Sequence, residues 1–480
     1  MKLGPDAVAR VANQLGQADL GDPRRSRRLA RVVEKVAQAP SLSLPLALET
    51  DAEVQGAYRL MNNRRVTFEA VLAPHIDAAV ENARAVREVL LIHDTTDCSF
   101  PHLDPKEIGY LQTGKAGFRL HLTLAVDGDT WRRPVGVVYA EPQFREARRR
   151  RKRGASGADT AGRADSEFAR WGRGIKASAD RLAGCQRLIH LADRESDSYE
   201  LMWQALEARQ DFIFRVRVDR RGRSTDDGST STWSTVKQVA GQCEGLLTRE
   251  VGLSRRKLKG PPKLNKVHRP RKQRHATLRF AATQVEIPRP RYLHHPVAET
   301  LTLNLVHVIE IDVPPGEQPV EWLLYTTLPI DAPEQVADIV DKYRTRWVIE
   351  EFNGALKTGC AYEQREFETC DALLTMLAIS LPIACELLWL RSRARTNPDD
   401  PATDVLTPLQ LRVLTALGKR KLSPRPTVRE ALLAVAGLGG HLKRNGDPGW
   451  LVLYRGMQKL KAYETGWRAA DAAAHRHSDL

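Results

Sequence analysis

Cysteine is scarce and scattered: Cys98, Cys185, Cys243, Cys360, Cys370 and Cys385 form neither close pairs nor zinc-ligand spacings. That spacing points away from a disulfide scaffold and a zinc module, and reads as reduced, structural thiols. The opening Met1-Lys2-Leu3-Gly4-Pro5 lacks the apolar core of a signal peptide. No run is read as reaching the roughly 20 apolar residues needed to span a bilayer. The expectation is a cytoplasmic, nucleoid-associated protein with no membrane partner. Internal repeats of 20 to 50 residues are absent too, which argues against a solenoid or propeller. Acidic residues are in deficit, 59 Asp+Glu against 74 Lys+Arg, for a net charge of +15. Such a balance favours an anionic partner, with DNA, RNA and membrane surfaces all open on charge alone.

At 480 residues the chain has room for several domains, and three are expected. Asp22-Pro23 pairs an N-cap residue with proline at the first helical position, and Leu29, Val32, Val33 and Val36 then recur at helical spacing. Further helices are expected from about Asp51 to Met61 and from about Thr67 to Ala83. Arg24, Arg25, Arg27, Arg28 and Arg31 crowd the first of these, so residues 1–72 read as a helical DNA-binding module or, more blandly, as a bundle with a solvated arginine face.

From residue 89 the texture changes. Val89 to Ile92, the alternating Leu120, Leu122, Leu124 and Val126, and Pro134 to Ala140 read as an antiparallel meander. A helix around Phe168 to Leu182, a strand Leu188 to Ala192, a helix from about Ser196 to Ala208 and a strand Phe212 to Val216 follow. Three strands, helix, strand, helix, strand is the order of a mixed α/β, ribonuclease-H-like sheet, assigned to residues 73–370. Within it, about 217–320 is a strand-rich insertion whose Ser254 to His275 stretch is too basic to pack into a core. Arg148 to Arg153 are six consecutive cations. Residues 371–480 read as helical, with Pro382 bending Leu373 to Leu390, a break at Gly437-Leu438-Gly439-Gly440, and a last amphipathic stretch from Trp450.

Chemistry concentrates after the strand Trp322 to Thr327. On one helix starting near Asp331, Tyr343, Arg346, Glu350 and Lys357 would share an arc of about 60°. Val348, Ile349, Phe352 and Leu356 would anchor the opposite face, leaving the polar stripe toward a cleft or solvent. Asp94 follows the apolar strand Leu90-Leu91-Ile92-His93, and Asp193 ends the strand Leu188 to Ala192. Taken singly, such residues are usually caps or surface partners. Brought together, Asp94, Asp193 and Glu350 would make a hard-oxygen site for Mg²⁺.

The residues resemble a family: bacterial insertion-sequence DDE transposases of the cut-and-paste, hairpin-forming kind. Leu20-Gly21-Asp22-Pro23-Arg24-Arg25 and Gly56-Ala57-Tyr58-Arg59 resemble its N-terminal module. Asp94-Thr95-Thr96 and Asp193-Arg194-Glu195 resemble its first two catalytic blocks, and Tyr343-x2-Arg346-x3-Glu350-x6-Lys357 its Tyr-Arg-Glu-Lys signature. The resemblance implies two Mg²⁺ ions per site, replaceable by Mn²⁺, held by Asp94, Asp193 and Glu350. It implies nicking at transposon-end inverted repeats, hairpin formation, hairpin opening by water and joining of 3′ ends to target DNA. Tyr343, Arg346 and Lys357 would hold phosphates, and Arg215 matches a basic position near the site. Trp322 and Trp347 align with base-stacking tryptophans, although either could be a core residue. The C-terminal helices would pair two subunits in a synaptic homodimer. Gly354 stands where the family comparison shows a lysine, and Arg148 to Arg153 have no family counterpart. Asp97, Glu195, Asp197 and Glu351 are left out of the triad by motif position. The competing reading is a DNA-binding inhibitor or domesticated scaffold without turnover.

Overall fold

The computed structural model describes residues 3, 5–129, 133–145, 169–225, 232–255, 270–293, 296–442 and 446–478. Arg148 to Arg153 and most of the Ser254 to His275 stretch lie outside them. The chain begins with helices α1 (Pro5–Leu15), α2 (Pro23–Gln38), the short α3 (Leu44–Ala47), α4 (Asp51–Met61) and α5 (Phe68–Arg84). Caps explain their starts. Asp22 accepts from the Arg24 amide, Thr50 and Glu53 form a reciprocal capping box, and Thr67 accepts from the Ala70 amide. Neither α1 nor α3 was expected from sequence; α1 buries Val11 and Leu15 in the same core as Val33.

The next stretch builds the sheet from β1 (Val89–Ser99), a short α6 (Pro105–Ile108), β2 (Gly117–Asp127), β3 (Pro134–Gln143), α7 (Ala169–Arg181), β4 (Leu188–Ala192), α8 (Tyr199–Glu207) and β5 (Asp211–Arg215). The insertion adds β6 (Arg221–Ser224), β7 (Ser234–Thr235), α9 (Val236–Gln242), β8 (Leu247–Leu253), β9 (Arg274–Pro288) and β10 (Thr300–Ile311), and β11 (Glu321–Thr326) returns beside β5. Strand order is β3-β2-β1-β4-β5-β11-β10-β9-β6-β7, with β8 pairing β9. The first three strands are antiparallel, whereas β1, β4 and β5 are parallel.

One expectation is corrected here. β1 does not stop at His93 but runs through Asp94 to Ser99, because Thr95 to Ser99 stay paired with His121 to Gly117 of β2. Asp94 is therefore held on a ladder rather than at a turn.

The segment after β11 departs from a single helix. α10 (Pro333–Thr345) ends in a tightened turn in which the Arg346 and Trp347 amides bond three residues back, and α11 (Val348–Gly354) then leads into a π-helical turn, Ala355–Gly359. The Cys360 amide donates to the Ala355 carbonyl at 2.8 Å, five residues back, which widens that turn. Ile349, Phe352 and Leu356 are fully buried, as their spacing required.

The C-terminal helices are α12 (Cys370–Thr396), α13 (Pro408–Leu417), α14 (Val428–Leu438) and α15 (Trp450–Ser478). Contrary to expectation, α12 is long and apolar enough to cross a membrane, but most of its apolar window is buried inside the protein, the placement of a core helix. One contiguous core runs from Leu15 and Val33 through Ile92 and Leu124 to Phe352, Leu377 and Leu453. Buried Arg365 fastens the N-terminal helices to it, donating to the carbonyls of Pro40, Leu42 and Cys360.

Candidate active site

The parallel ladder between β1 and β4 sets Ile92 beside Leu191, its last pair. Asp94 and Asp193 both lie two residues further on, just past the carboxyl end of the parallel ladder, although β1 itself continues to Ser99. α11 brings Glu350 to the same place. Asp94, Asp193 and Glu350 line one open cleft of about 880 Å³, with Glu195, Asn353, Gly354, Lys357 and Glu363 along its walls.

Each acid is held by its surroundings. Asp193 caps the 3₁₀ turn Arg194–Ser196, its Oδ1 accepting from the Glu195 amide at 2.8 Å. Asp94 Oδ2 accepts from Asn353 Nδ2 at 2.9 Å, and Glu350 Oε1 lies 3.4 Å from Arg346 Nη1. Burial, reinforced by the charges of Glu350 and Asp193, pushes the Asp94 carboxyl up to about 7; Arg346 and Asn353 oppose the shift without cancelling it. The three acids are near enough to repel one another. Among the described residues, however, no three Asp, Glu, His or Cys side chains already stand close enough to cage a metal ion.

A divalent cation nonetheless fits this donor set. Hard oxygens line one open cleft, and the buried Asn353 Oδ1 beside them has no hydrogen-bond partner. Asn353 was missed from sequence, though its position three residues after Glu350 on one helix put it on the same face.

The signature residues divide into two layers. Lys357 Nζ reaches the cleft wall, where it donates to the Asp97 carbonyl and lies 3.4 Å from Glu363 Oε1. Tyr343 and Arg346 are 3% and 7% exposed, so the stripe is not an open face. Both are absent from the lining of the cleft. The Tyr343 ring meets Trp322 edge-on at 5.5 Å, and Arg215 lies over Trp322 at 5.6 Å. Burial lowers the Arg215 pKa from its ordinary value. For Arg346, burial works against the charge, but Tyr343, Asp94, Asp193 and Glu350 outweigh it and raise the pKa. Trp322 is half-buried against the core, whereas Trp347 is 60% exposed with Arg346 against its ring. Arg24, Arg25, Arg27 and Arg28 are on α2, outside the cleft; Arg24, Arg27 and Arg28 are exposed, and Arg25 Nη1 bonds the Leu20 carbonyl.

Beneath the acids lies a buried histidine layer that sequence reading did not flag. His93 Nε2 and His190 Nδ1 are 2.8 Å apart, Thr123 Oγ1 is 3.0 Å from His93 Nδ1, and His190 Nε2 reaches Gln210 Oε1 at 3.3 Å. With the glutamine oxygen accepting, the chain is directional: His190 donates to Gln210, His93 to His190, and Thr123 to His93. Burial lowers the pKa of both imidazoles, that of His190 to about 4.

Residues 9–66 match the family described as Transposase DNA-binding, and residues 173–381 match the one described as Transposase DDE domain. The chain carries the two domains of a DDE transposase. The DNA-binding match holds the arginines of α2, and the DDE match holds Asp193, Glu350 and the whole signature. Asp94 precedes the DDE match, and it is the β1–β4 ladder that carries it to the other two acids. A DNA transposase that binds DNA and cleaves it with divalent metal follows from these domains in general terms.

Proposed function

We propose that this transposase recognises the inverted repeats at its transposon ends, cuts them by nicking and hairpin formation, and joins the 3′ ends to target DNA as a synaptic homodimer. The observation that carries this reading is the meeting of Asp94, Asp193 and Glu350 along one cleft in a chain with both transposase domains. The catalytic region is read as ribonuclease-H-like, supported by the order β3-β2-β1-β4-β5 with its antiparallel meander and parallel inner strands. The division into residues 1–72, 73–370 with the 217–320 insertion, and 371–480 is retained as part of the proposal, as is a cytoplasmic, nucleoid-associated location.

In this reading Asp94, Asp193 and Glu350 hold two Mg²⁺ or Mn²⁺ ions, which when bound would supply Lewis acidity for in-line phosphoryl transfer. The chain's own groups do the rest. Asn353 orients Asp94 and offers its unpaired Oδ1 toward the cleft. Lys357, at the cleft wall, exchanges its contacts with the Asp97 carbonyl and Glu363 for a phosphate, for which it is a mobile point charge. Arg346 offers a planar fork to a second phosphate, held in place by Trp347 and Glu350. Tyr343 and Arg215 stiffen the layer beneath. Exposed Trp347 suits stacking of a base extruded from a tight hairpin; half-buried Trp322 would need to present one ring edge for the same task. Arg24, Arg25, Arg27 and Arg28 are the proposed end-DNA contacts of α2.

The test is direct. Purified protein is mixed with a labelled duplex carrying the inverted repeat that flanks its gene, with and without Mg²⁺. Nicked and then hairpin products that require Mg²⁺ and the terminal sequence support the proposal. Tight binding without strand cleavage leaves the inhibitor or scaffold reading, and equal cutting of unrelated duplexes indicates a general nuclease.

A further inference from the structure

Gly354 and Trp450 are far apart in sequence yet fit each other closely. A methyl group at Gly354 would lie 2.5 Å from Trp450 Cδ1 and 3.0 Å from its Nε1, well inside van der Waals contact. Gly354 ends α11, the helix of Glu350 and Asn353, and itself lines the cleft. Trp450 begins α15 and is 9% exposed, with its five-membered ring against the glycine and Arg391 over the indole at 5.0 Å. The widened turn that follows α11 is seated the same way, since a methyl group at Gly359 would press on Leu387 of α12 at 3.0 Å. A lysine at position 354 could not coexist with this indole.

The position of α15 is itself fixed. A methyl group at Gly456 would fall 2.0 Å from the Val435 carbonyl, and one at Gly439 would fall 1.8 Å from the Val452 carbonyl, so α14 and α15 cross backbone against backbone. That crossing sets where Trp450, at the start of α15, meets Gly354. A second link runs in parallel: Glu351, next to Glu350, bonds Arg395 of α12 at 3.0 Å, Arg395 reaches Asp447 at 3.1 Å, and Asp447 holds Arg429 of α14 at 2.6 Å.

From this fit we propose that Trp450 is a positioning residue: the C-terminal helix, through Trp450 seated on Gly354, sets the placement of α11 and so of Glu350 and Asn353. The proposal rests on the reading of the cleft as the strand-cleavage site. Trp450 Nε1 has no hydrogen-bond partner, so shape rather than hydrogen bonding does the seating. A phenylalanine should therefore serve and an alanine should not.

Full-length wild type, Trp450→Ala, Trp450→Phe and Gly354→Ala are compared in three measurements: amide hydrogen exchange over residues 348–359, affinity for the terminal-repeat duplex, and single-turnover cleavage at saturating DNA with Mg²⁺. Trp450→Ala and Gly354→Ala should each speed exchange in that segment and slow cleavage by about 10- to 100-fold, the scale set by an ångström of misplacement, with duplex affinity within about 3-fold. Trp450→Phe should restore exchange and most of the rate. Unchanged exchange and cleavage in folded Trp450→Ala or in Gly354→Ala would overturn the proposal, as would a loss in duplex affinity equal to the loss in rate. Should Trp450→Ala not fold, Gly354→Ala and Trp450→Phe decide alone. If wild type itself cuts no terminal-repeat DNA, the proposed function falls, and the exchange measurement still settles whether Trp450 seats α11.

Discussion

His93 and Asp94 are neighbours on β1, yet they obey opposite rules. Below, His93 joins His190, Thr123 and Gln210 in a buried chain in which each imidazole nitrogen has a partner, and both rings stay neutral. Above, Asp94 faces two further carboxylates across a cleft, with an unpaired amide oxygen beside it. The floor, the His93–His190 chain, is internally matched; the Asn353 oxygen at the rim is not. Polar groups that serve only the fold are matched inside the fold, since an unmatched buried group costs about 1–3 kcal/mol. An unmatched amide oxygen beside three carboxylates on one open cleft is suited to a ligand from outside the chain.

The largest expected difference between the two layers is therefore catalytic. Asp94→Asn, Asp193→Asn and Glu350→Gln should each reduce strand cleavage by about 10³-fold or more while leaving duplex affinity nearly unchanged. Asp94→Asn should also raise the metal-free melting temperature, because it removes a charge that burial and two like charges disfavour. A lowered melting temperature would show that Asp94 belongs to the floor after all.

The floor should fail in the opposite way. His93→Ala leaves Thr123 and His190 unpaired in the interior and opens a cavity, so a loss of about 2–4 kcal/mol in denaturant unfolding is expected. A stable protein with altered cleavage chemistry would assign His93 to the rim.

Acid should also separate the layers. His75, on α5, is buried and accepts at Nε2 from the Val137 amide, while its Nδ1 lies 3.0 Å from Gln14 Oε1. Burial holds its pKa down to about 4, and that of His121 to about 3. Between these values and the ordinary 6.5 the unfolded chain binds more protons, so this stability is present above pH 6.5 and is lost as pH falls toward 4. Asp94 has the reverse sign. Its folded pKa is raised, so its contribution is full below about 4 and is lost as pH rises through about 7. Unfolding measured across that range without metal should show His75→Gln flattening the acid limb and Asp94→Asn flattening the neutral one.

Much of the frame was legible in the sequence. The strand Leu188–Ala192 and the helix Asp51–Met61 were read to the residue, because a bounded apolar run and a cap with helical spacing are local signals. The strand and helix order from Val89 to Arg215 was legible for the same reason. What failed were features decided by distant partners. β1 outlasts its apolar run because β2 pairs with its polar half; Tyr343 is buried with its ring against Trp322 of β11, and Arg346 is buried beside it. The histidine layer gathers residues that look ordinary one at a time. Gly354 was noticed as a departure, but its partner Trp450 comes from another helix.

The smallest expected effect lies at the exposed edge of the rim. Trp347 is 60% exposed with Arg346 against its ring, so Trp347→Ala should change stability by less than about 0.5 kcal/mol. Stacking of a base on an aromatic ring is worth about 1–3 kcal/mol, so the same substitution should slow hairpin formation relative to the first nick, with nicking itself spared. Trp322 supplies the internal control. Because it packs against Tyr343 and carries Arg215 over its ring, Trp322→Ala should disturb the layer beneath the cleft and lower stability along with both steps. Product gels from a time course resolve nick from hairpin, and a matched melting curve resolves rim from floor; equal losses at both steps in Trp347→Ala would remove it from base stacking.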